Sequence, residues 1–396
     1  MESSKNIFLD LLILFLTISL TGLGVLFGYA QFVTYALIPL MLIYCIQLNS
    51  FKFFSFNNTY IKLFFSIILW SILLIFISID QNVALNEITK SIGVFLVMLI
   101  VLEAIAYFPD KYIKWFLFSY VIAFYIISTH LLLRVGTTTH VSDAWIDRSN
   151  DTLGLNANTY SYFSFFANIA LFYLIELTRK KVYIIISIFS VILAFYLSFI
   201  TASRSGMLFL ILIVTTYWLL IFSTKGKYKA LRFILTIIIL IYSSTILNQY
   251  YENSFLKKRV DISIQSDDAR ERLINEAVNV FIDNPFLGVG PGQFFLYEST
   301  KQSFSHNSYT EIAANLGIIG LILLLIIFVR PLIKAIKTFF IDKNPSHSSL
   351  NKLNILFFAT FILYNNFYVF YLTTYGMMFF IVIISVQEKY IKNGKK

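Results

Sequence analysis

The chain has 396 residues, of which 58% are hydrophobic, 18% aromatic and only 13% charged. Soluble domains carry roughly a quarter charged residues, so this balance excludes an ordinary soluble enzyme and predicts an all-α integral membrane protein. The formal charge of +10 does not make a nucleic-acid binder, because the lysines and arginines stand mostly in short connections between apolar runs, where they report topology.

A bilayer core about 30 Å thick takes about 20 apolar residues per helix. Runs of that kind fall near residues 7–27, 32–48, 61–79, 91–108, 112–133, 159–177, 182–200, 205–222, 231–247, 316–336, 353–371 and 373–387. They predict about twelve transmembrane helices in a single polytopic domain over 1–396. The first run is longer than a signal-peptide core and has no small-residue cleavage site, so it reads as a retained span. Cys45 is the only cysteine, which leaves no disulfide or thiolate metal site within the chain. Basic loops at Lys52, Lys111 and Lys114, Arg179 to Lys181, Lys225 to Arg232, and Lys334 to Lys352 alternate with lysine-poor ones, placing both termini in the cytoplasm. The connections around Asp80 to Lys90, Arg134 to Asn158, Thr201 to Arg204, and 248–311 then face outward. The last is much the longest, and long loops are more often functional than idle.

Among these outer segments, Asn156 and Asn158 open the 159–177 span as helix caps or sugar contacts, caps being the simpler reading. Arg204 stands in Thr201-Ala202-Ser203-Arg204-Ser205-Gly206, a very short connection. An arginine at membrane depth is costly unless paired, functional or snorkelled to the interface. Within the long loop, Asp267 and Asp268 start a short amphipathic helix that Asn284-Pro285 ends. At 100° per residue, Arg270 projects within about 40° of Ile274, Ala277 and Phe281. Arg272 points the other way, towards Glu276 and Asn279, where an (i, i+4) pair with Glu276 explains it. A guanidinium on the apolar face needs an anion. Gly288-Val289-Gly290-Pro291-Gly292 lacks the strand and the Lys-Ser/Thr of a nucleotide loop, so its glycines predict a sharp re-entrant turn.

The segment Ser305-His306-Asn307-Ser308-Tyr309-Thr310-Glu311 precedes the 316–336 span. Ser308 to Glu311 has the form of a capping box, so a helix starts at Ser308 and Glu311 is structural. His306 lies just before that helix N-terminus, which favours a negative ligand. It serves there as a general base, as a phosphate partner or as an ordinary loop residue, and position alone does not choose. His130, His140 and His347 read as structural or incidental. With no H-E-x-x-H, His/Cys cluster or Asp-x-Asp pair, the sequence supports no metal and no cofactor. Arg204, Arg270 and His306 are then three cation-capable side chains on one membrane face, whose natural complement is phosphate or pyrophosphate.

Ala269-Arg270, then Asn284-Pro285-Phe286-Leu287-Gly288-Val289-Gly290, then His306-Asn307 with ten residues to Gly317, resemble the signature of the O-antigen ligase and polymerase superfamily. Thr201 to Gly206 is similar to its upstream arginine motif, and Gly154 to Asn158 resembles a further element. Ile274 stands where the family has tryptophan. The resemblance implies a GT-C-like, multi-pass, metal-independent glycosyltransferase of the bacterial cytoplasmic membrane, without cofactor and with its active site on the extracytoplasmic face. It implies an undecaprenyl-pyrophosphate-linked oligosaccharide as donor, a glycan acceptor, membrane lipid around both, and a chain-length regulator and flippase of the same pathway as partners. His306, Arg270 and Arg204 carry over as catalytic residues, and Arg272, Asn307, Asn158, Tyr309 and Gly290 as substrate contacts. A neutral histidine, with a reference pKa about 6.5, would take the acceptor proton. The arginines would stabilise the leaving pyrophosphate, with inversion at the anomeric carbon. The expected activity is polymerisation of lipid-linked repeat units for O-antigen, capsule or exopolysaccharide. An O-antigen ligase is the alternative, and a lipid-linked sugar transporter or flippase a third.

Overall fold

The computed structural model describes residues 6–135, 156–201, 203–222, 269–297, 303–342 and 345–393, and the expected span at 231–247 lies outside them. In chain order the main helices are α1 (Ile7–Leu23), α2 (Ala30–Leu48), α3 (Thr59–Ile77), α4 (Gln81–Tyr107), α5 (Pro109–Val135), α6 (Ala157–Thr178), α7 (Lys181–Ile200) and α8 (Arg204–Ile221). They continue with α9 (Ala269–Asp283), α10 (Ser308–Ile341), α11 (Pro345–Tyr364) and α12 (Thr374–Asn393). No strand occurs among the described residues. Eight of the described helices, α2 to α8 and α10, are long and apolar enough to cross a membrane. This is a multi-pass membrane protein.

Polar residues at the boundaries set where helices begin. Asn6, Asn58, Asp80, Asn156 and Ser203 each accept a backbone amide of the first turn as N-caps, satisfying donors that lipid cannot. The Asp80 cap corrects the expected connection from Asp80 to Lys90: those residues are the first turns of α4, because Gln81, Asn82 and Glu87 are polar without being helix breakers. The expected 353–371 span is also revised. Helix α11 starts at Pro345 and stops at Tyr364, where the amides of Asn365 and Asn366 close onto the Phe361, Ile362 and Leu363 carbonyls. A turn and a 3-10 segment, Phe370–Leu372, follow before α12.

The chain divides into two compact units. The first is Met1–Ala30, Lys114–Ser266 and Thr338–Thr360, and the second is Gln31–Ile113, Asp267–Lys337 and Phe361–Lys396.

In the first unit α6 is buried along almost its whole length. Lipid tails offer no hydrophobic drive to bring helices together, so packing and buried polar bonds must do it. Phe172 stacks on Tyr217 of α8 at 3.9 Å, and the Tyr173 hydroxyl donates to Asn354 of α11 at 2.7 Å. Glu176 accepts from Ser349 at 2.5 Å and pairs with Arg179 at 2.8 Å.

In the second unit α4 lies among α2, α3 and α12. Phe361, Phe328 and Phe380 form an aromatic cluster with centroids 5.2–5.5 Å apart. Glu103 of α4 is fully buried and accepts from Asn49 at 2.9 Å and from the Ser55 amide and hydroxyl at 2.8 and 2.7 Å. It organises the α2–α3 connection. Glu103→Ala leaves those donors without their acceptor and is expected to cost about 2–3 kcal/mol, with Glu103→Gln costing less. Thermal unfolding of the purified variants in detergent checks the order.

Candidate functional site

The second unit holds most of the expected residues. Helix α9 buries Leu273, Ala277 and Val280, and Arg272 is exposed on its far side. Half-buried Arg270 sits at the N-terminal end of α9, one turn before buried Leu273, as the periodicity predicts. Its guanidinium lies over the Phe367 ring at 5.7 Å.

The buried face of α9 packs on Val289, Phe294 and Ala314. Val289 belongs to the expected glycine turn, where Gly288, Gly290 and Gly292 have φ of 67°, 102° and 71°. That turn inserts into a break in α10, where Gly317 has φ 65° and ψ −164°. The Val289 amide donates to the Ala314 carbonyl at 3.0 Å, that of Gly290 to Asn315 at 2.9 Å, and that of Ile318 to Pro285 at 2.8 Å. Trp70 Nε1 covers the Leu316 carbonyl at 3.0 Å. Residues 288–290 of the turn are buried, so this stretch of irregular backbone finds its partners within the protein. Gly290 is itself buried, and a Cβ there would meet Ser78 Oγ at 2.3 Å, so its place is in the scaffold of the turn.

Ahead of the break, the first turns of α10 carry the histidine. Asn307, not Ser308, is the N-cap: its Oδ1 accepts the Tyr309 and Thr310 amides at 2.9 and 3.3 Å. The Ser308 hydroxyl is occupied elsewhere, donating to Asn365 Oδ1 at 2.6 Å and the Tyr368 carbonyl at 2.9 Å. Glu311 reaches back as a capping-box glutamate does, but to the Ser305 amide, at 2.7 Å, and also accepts from Asn315 at 3.2 Å. It is 1% exposed. Between Ser305 and Asn307, His306 is half-buried with φ 58°, a left-handed conformation that costs a non-glycine residue roughly 1–2 kcal/mol. Such strain persists where the surroundings impose it, typically at functional positions.

The turn after α11 touches both arms. Asn366 Oδ1 accepts from Asn307 Nδ2 at 3.4 Å, the Asn365 carbonyl accepts the Ser308 amide at 2.8 Å, the Tyr309 hydroxyl donates to the Ile362 carbonyl at 2.8 Å, and Phe367 carries Arg270. The arginine and the histidine loop therefore share one bracket, Asn365 to Tyr368. Sequence reading missed it. The Asn365-Asn366 pair inside an apolar run was the available signal, and nothing marked Phe367. Lys90 is a second omission: its ammonium lies 5.8 Å over the Phe304 ring, two residues before His306, and 3.3 Å from Glu87.

In the first unit Asn158 bonds to Ser203, the residue before Arg204. Asn156, not Asn158, caps α6, while Asn158 Oδ1 accepts from Ser203 Oγ at 3.2 Å. Ser203 caps α8, and Arg204 is that helix's first residue. A Cβ on Gly206 would fall 2.3 Å from that of Ser161, so the glycine lets α8 approach α6 closely. A cation at a helix N-terminus opposes the dipole, and an anion there is favoured by both.

Residues 189–325 match the family model described as O-antigen ligase. Over this stretch the chain is similar to the O-antigen ligase/polymerase superfamily. The match covers Arg204, Arg270, Arg272, Gly290, His306, Asn307 and Tyr309, and leaves out Asn158 and the Asn365 to Tyr368 turn. The match supports O-antigen ligase/polymerase-type glycan processing at family level. No curated protein matches the chain.

Proposed function

We propose that this protein is a member of the ligase/polymerase superfamily, a metal-independent glycosyltransferase that polymerises lipid-linked oligosaccharide repeat units, from an undecaprenyl-pyrophosphate donor, at the extracytoplasmic face of the bacterial cytoplasmic membrane. The observation that carries the reading is the shared bracket: a guanidinium and a strained histidine loop held by the same turn. His306 accepts the proton of the acceptor hydroxyl as that oxygen bonds to the anomeric carbon. The bond from that carbon to the lipid pyrophosphate breaks, and Arg270 takes the charge of the leaving group. Attack opposite the leaving group inverts the anomeric centre. The resemblance assigns Arg204 to the same reaction as a second anion-binding guanidinium, with Asn158 beside it through Ser203.

Transport is less well supported. A translocation path needs charges lining several spans, whereas buried Glu103 is tied to the α2–α3 connection and buried Glu176 to Arg179 and Ser349. Between polymerase and ligase, the breadth of pathways served by polymerases favours the first, and the description of the matched family favours the second. In cells lacking the protein, envelope glycan stalled at one repeat unit supports the polymerase; long chains left unattached reverse the assignment.

Purified protein given lipid-linked oligosaccharide is expected to lengthen it in the presence of EDTA. Arg270→Ala and Arg204→Ala should each lower the rate about 10²-fold, the scale of removing one donor that stabilises a developing charge. Wild-type transfer by both Arg270→Ala and His306→Ala would end this mechanism.

A further inference from the structure

We propose that Phe367 is a positioning residue for the transfer reaction, fixing the Arg270 guanidinium beside the histidine loop; the inference rests on the reading of Arg270 as the pyrophosphate-binding cation. Arginine loses more rotamer freedom on ordering than most side chains, so one that must meet an anion gains from being held beforehand. Arg270 stands at the first turn of α9, with the Phe367 ring 5.7 Å from its guanidinium. A cation–π contact uses the ring face and none of the guanidinium N–H donors, which form hydrogen bonds in their own plane. A lysine or an aliphatic partner cannot reproduce that geometry.

The ring is itself well anchored. Asn365 is fully buried and takes both the Ser308 amide and the Ser308 hydroxyl, at 2.8 and 2.6 Å. Asn365 also donates through its own amide to the Phe361 carbonyl at 2.8 Å, while the Phe370 amide donates to Ser308 Oγ at 3.2 Å. Phe367 thus lies between two fixed points, Asn365 and Phe370, each bonded to Ser308, two residues after the histidine. A displacement of the turn would move the arginine and the histidine loop together, which makes Phe367 a geometric link within the chemistry and not only packing.

The experiment measures transfer from an undecaprenyl-pyrophosphate-linked oligosaccharide by the full-length protein in lipid nanodiscs, with donor concentration varied. Phe367→Leu is expected to lower kcat/KM about tenfold, the scale of a desolvated cation–π contact. Phe367→Tyr and Phe367→Trp, which keep a ring face, should stay within about twofold of wild type. In an Arg270→Lys background the Phe367→Leu loss should shrink, because the planar partner is already gone. Phe367→Met, of similar volume without a ring, replaces the leucine variant if that one fails to fold. Equal losses in both backgrounds, or failure of the aromatic variants to retain activity while their melting temperatures match wild type, overturn the proposal. Wild-type transfer by Arg270→Ala would instead overturn the functional reading beneath it.

Discussion

His306→Ala is expected to lower glycosyl transfer by about 10²–10⁴-fold, the span attributed to a positioned general base, while the protein remains folded. The loop's backbone is fixed by its neighbours: Ser305 by the Glu311 carboxylate at 2.7 Å and by its own hydroxyl on the Asn307 carbonyl at 3.0 Å, and Asn307 by its capping bonds into α10. His306→Gly separates the two consequences of the left-handed backbone, φ 58°. Glycine accepts that conformation without the Cβ clash, so this variant should be as inactive as alanine yet more stable than it, by about 1 kcal/mol. The paired measurement is transfer from lipid-linked oligosaccharide and thermal unfolding in the same detergent. An alanine variant that transfers at the wild-type rate removes the histidine from the mechanism, and a glycine variant no more stable than alanine removes the strain argument.

The parts of this arrangement legible in the sequence are those set by local periodicity and backbone chemistry. Helical spacing was enough to put Arg270 on the packed face of α9 and Arg272 on the exposed one. Three glycines in five residues were enough to announce a turn that only positive φ can make. What the turn is for was not legible, because its partner is the break at Gly317, and a single glycine in a strongly apolar run is equally at home in an intact membrane helix. The α10 cap was displaced by one residue for a similar reason: Ser308 and Asn307 are both good caps, and only the distant Asn365, which takes the serine hydroxyl, decides between them. The Asn365 to Tyr368 turn was lost in an apolar run whose average hydropathy hid two asparagines. Long-range partners, at separations of about sixty residues between Ser308 and the turn, are what a pattern read along one chain does not carry.

Gly317→Ala is expected to be the most damaging single change to the fold, at about 3–5 kcal/mol. Two penalties combine there. The backbone, φ 65° and ψ −164°, lies in a region open essentially to glycine alone, and an added Cβ would come within 2.2 Å of the Phe286 carbonyl oxygen. That oxygen cannot retreat cheaply, because Pro285, Val289 and Gly290 on either side of it are bonded to Ile318, Ala314 and Asn315. Pushing the turn away would break those three backbone bonds together, at about 1 kcal/mol or more each. Gly288→Ala should behave alike, since its Cβ would lie 2.5 Å from the Asn315 carbonyl carbon at φ 67°. Gly93→Ala is the control: that glycine is inside α4 with nothing within 4 Å of its Cβ position, so alanine there should be neutral or stabilising, by up to about 1 kcal/mol. Recovery of monodisperse protein and its melting temperature, compared across the three variants, test the argument, and a Gly317→Ala protein as stable as Gly93→Ala would refute it. Because the Gly288 to Gly290 turn joins α9, with its arginine, to the first turns of α10, with its histidine, the same substitution should abolish transfer wherever it leaves protein to assay.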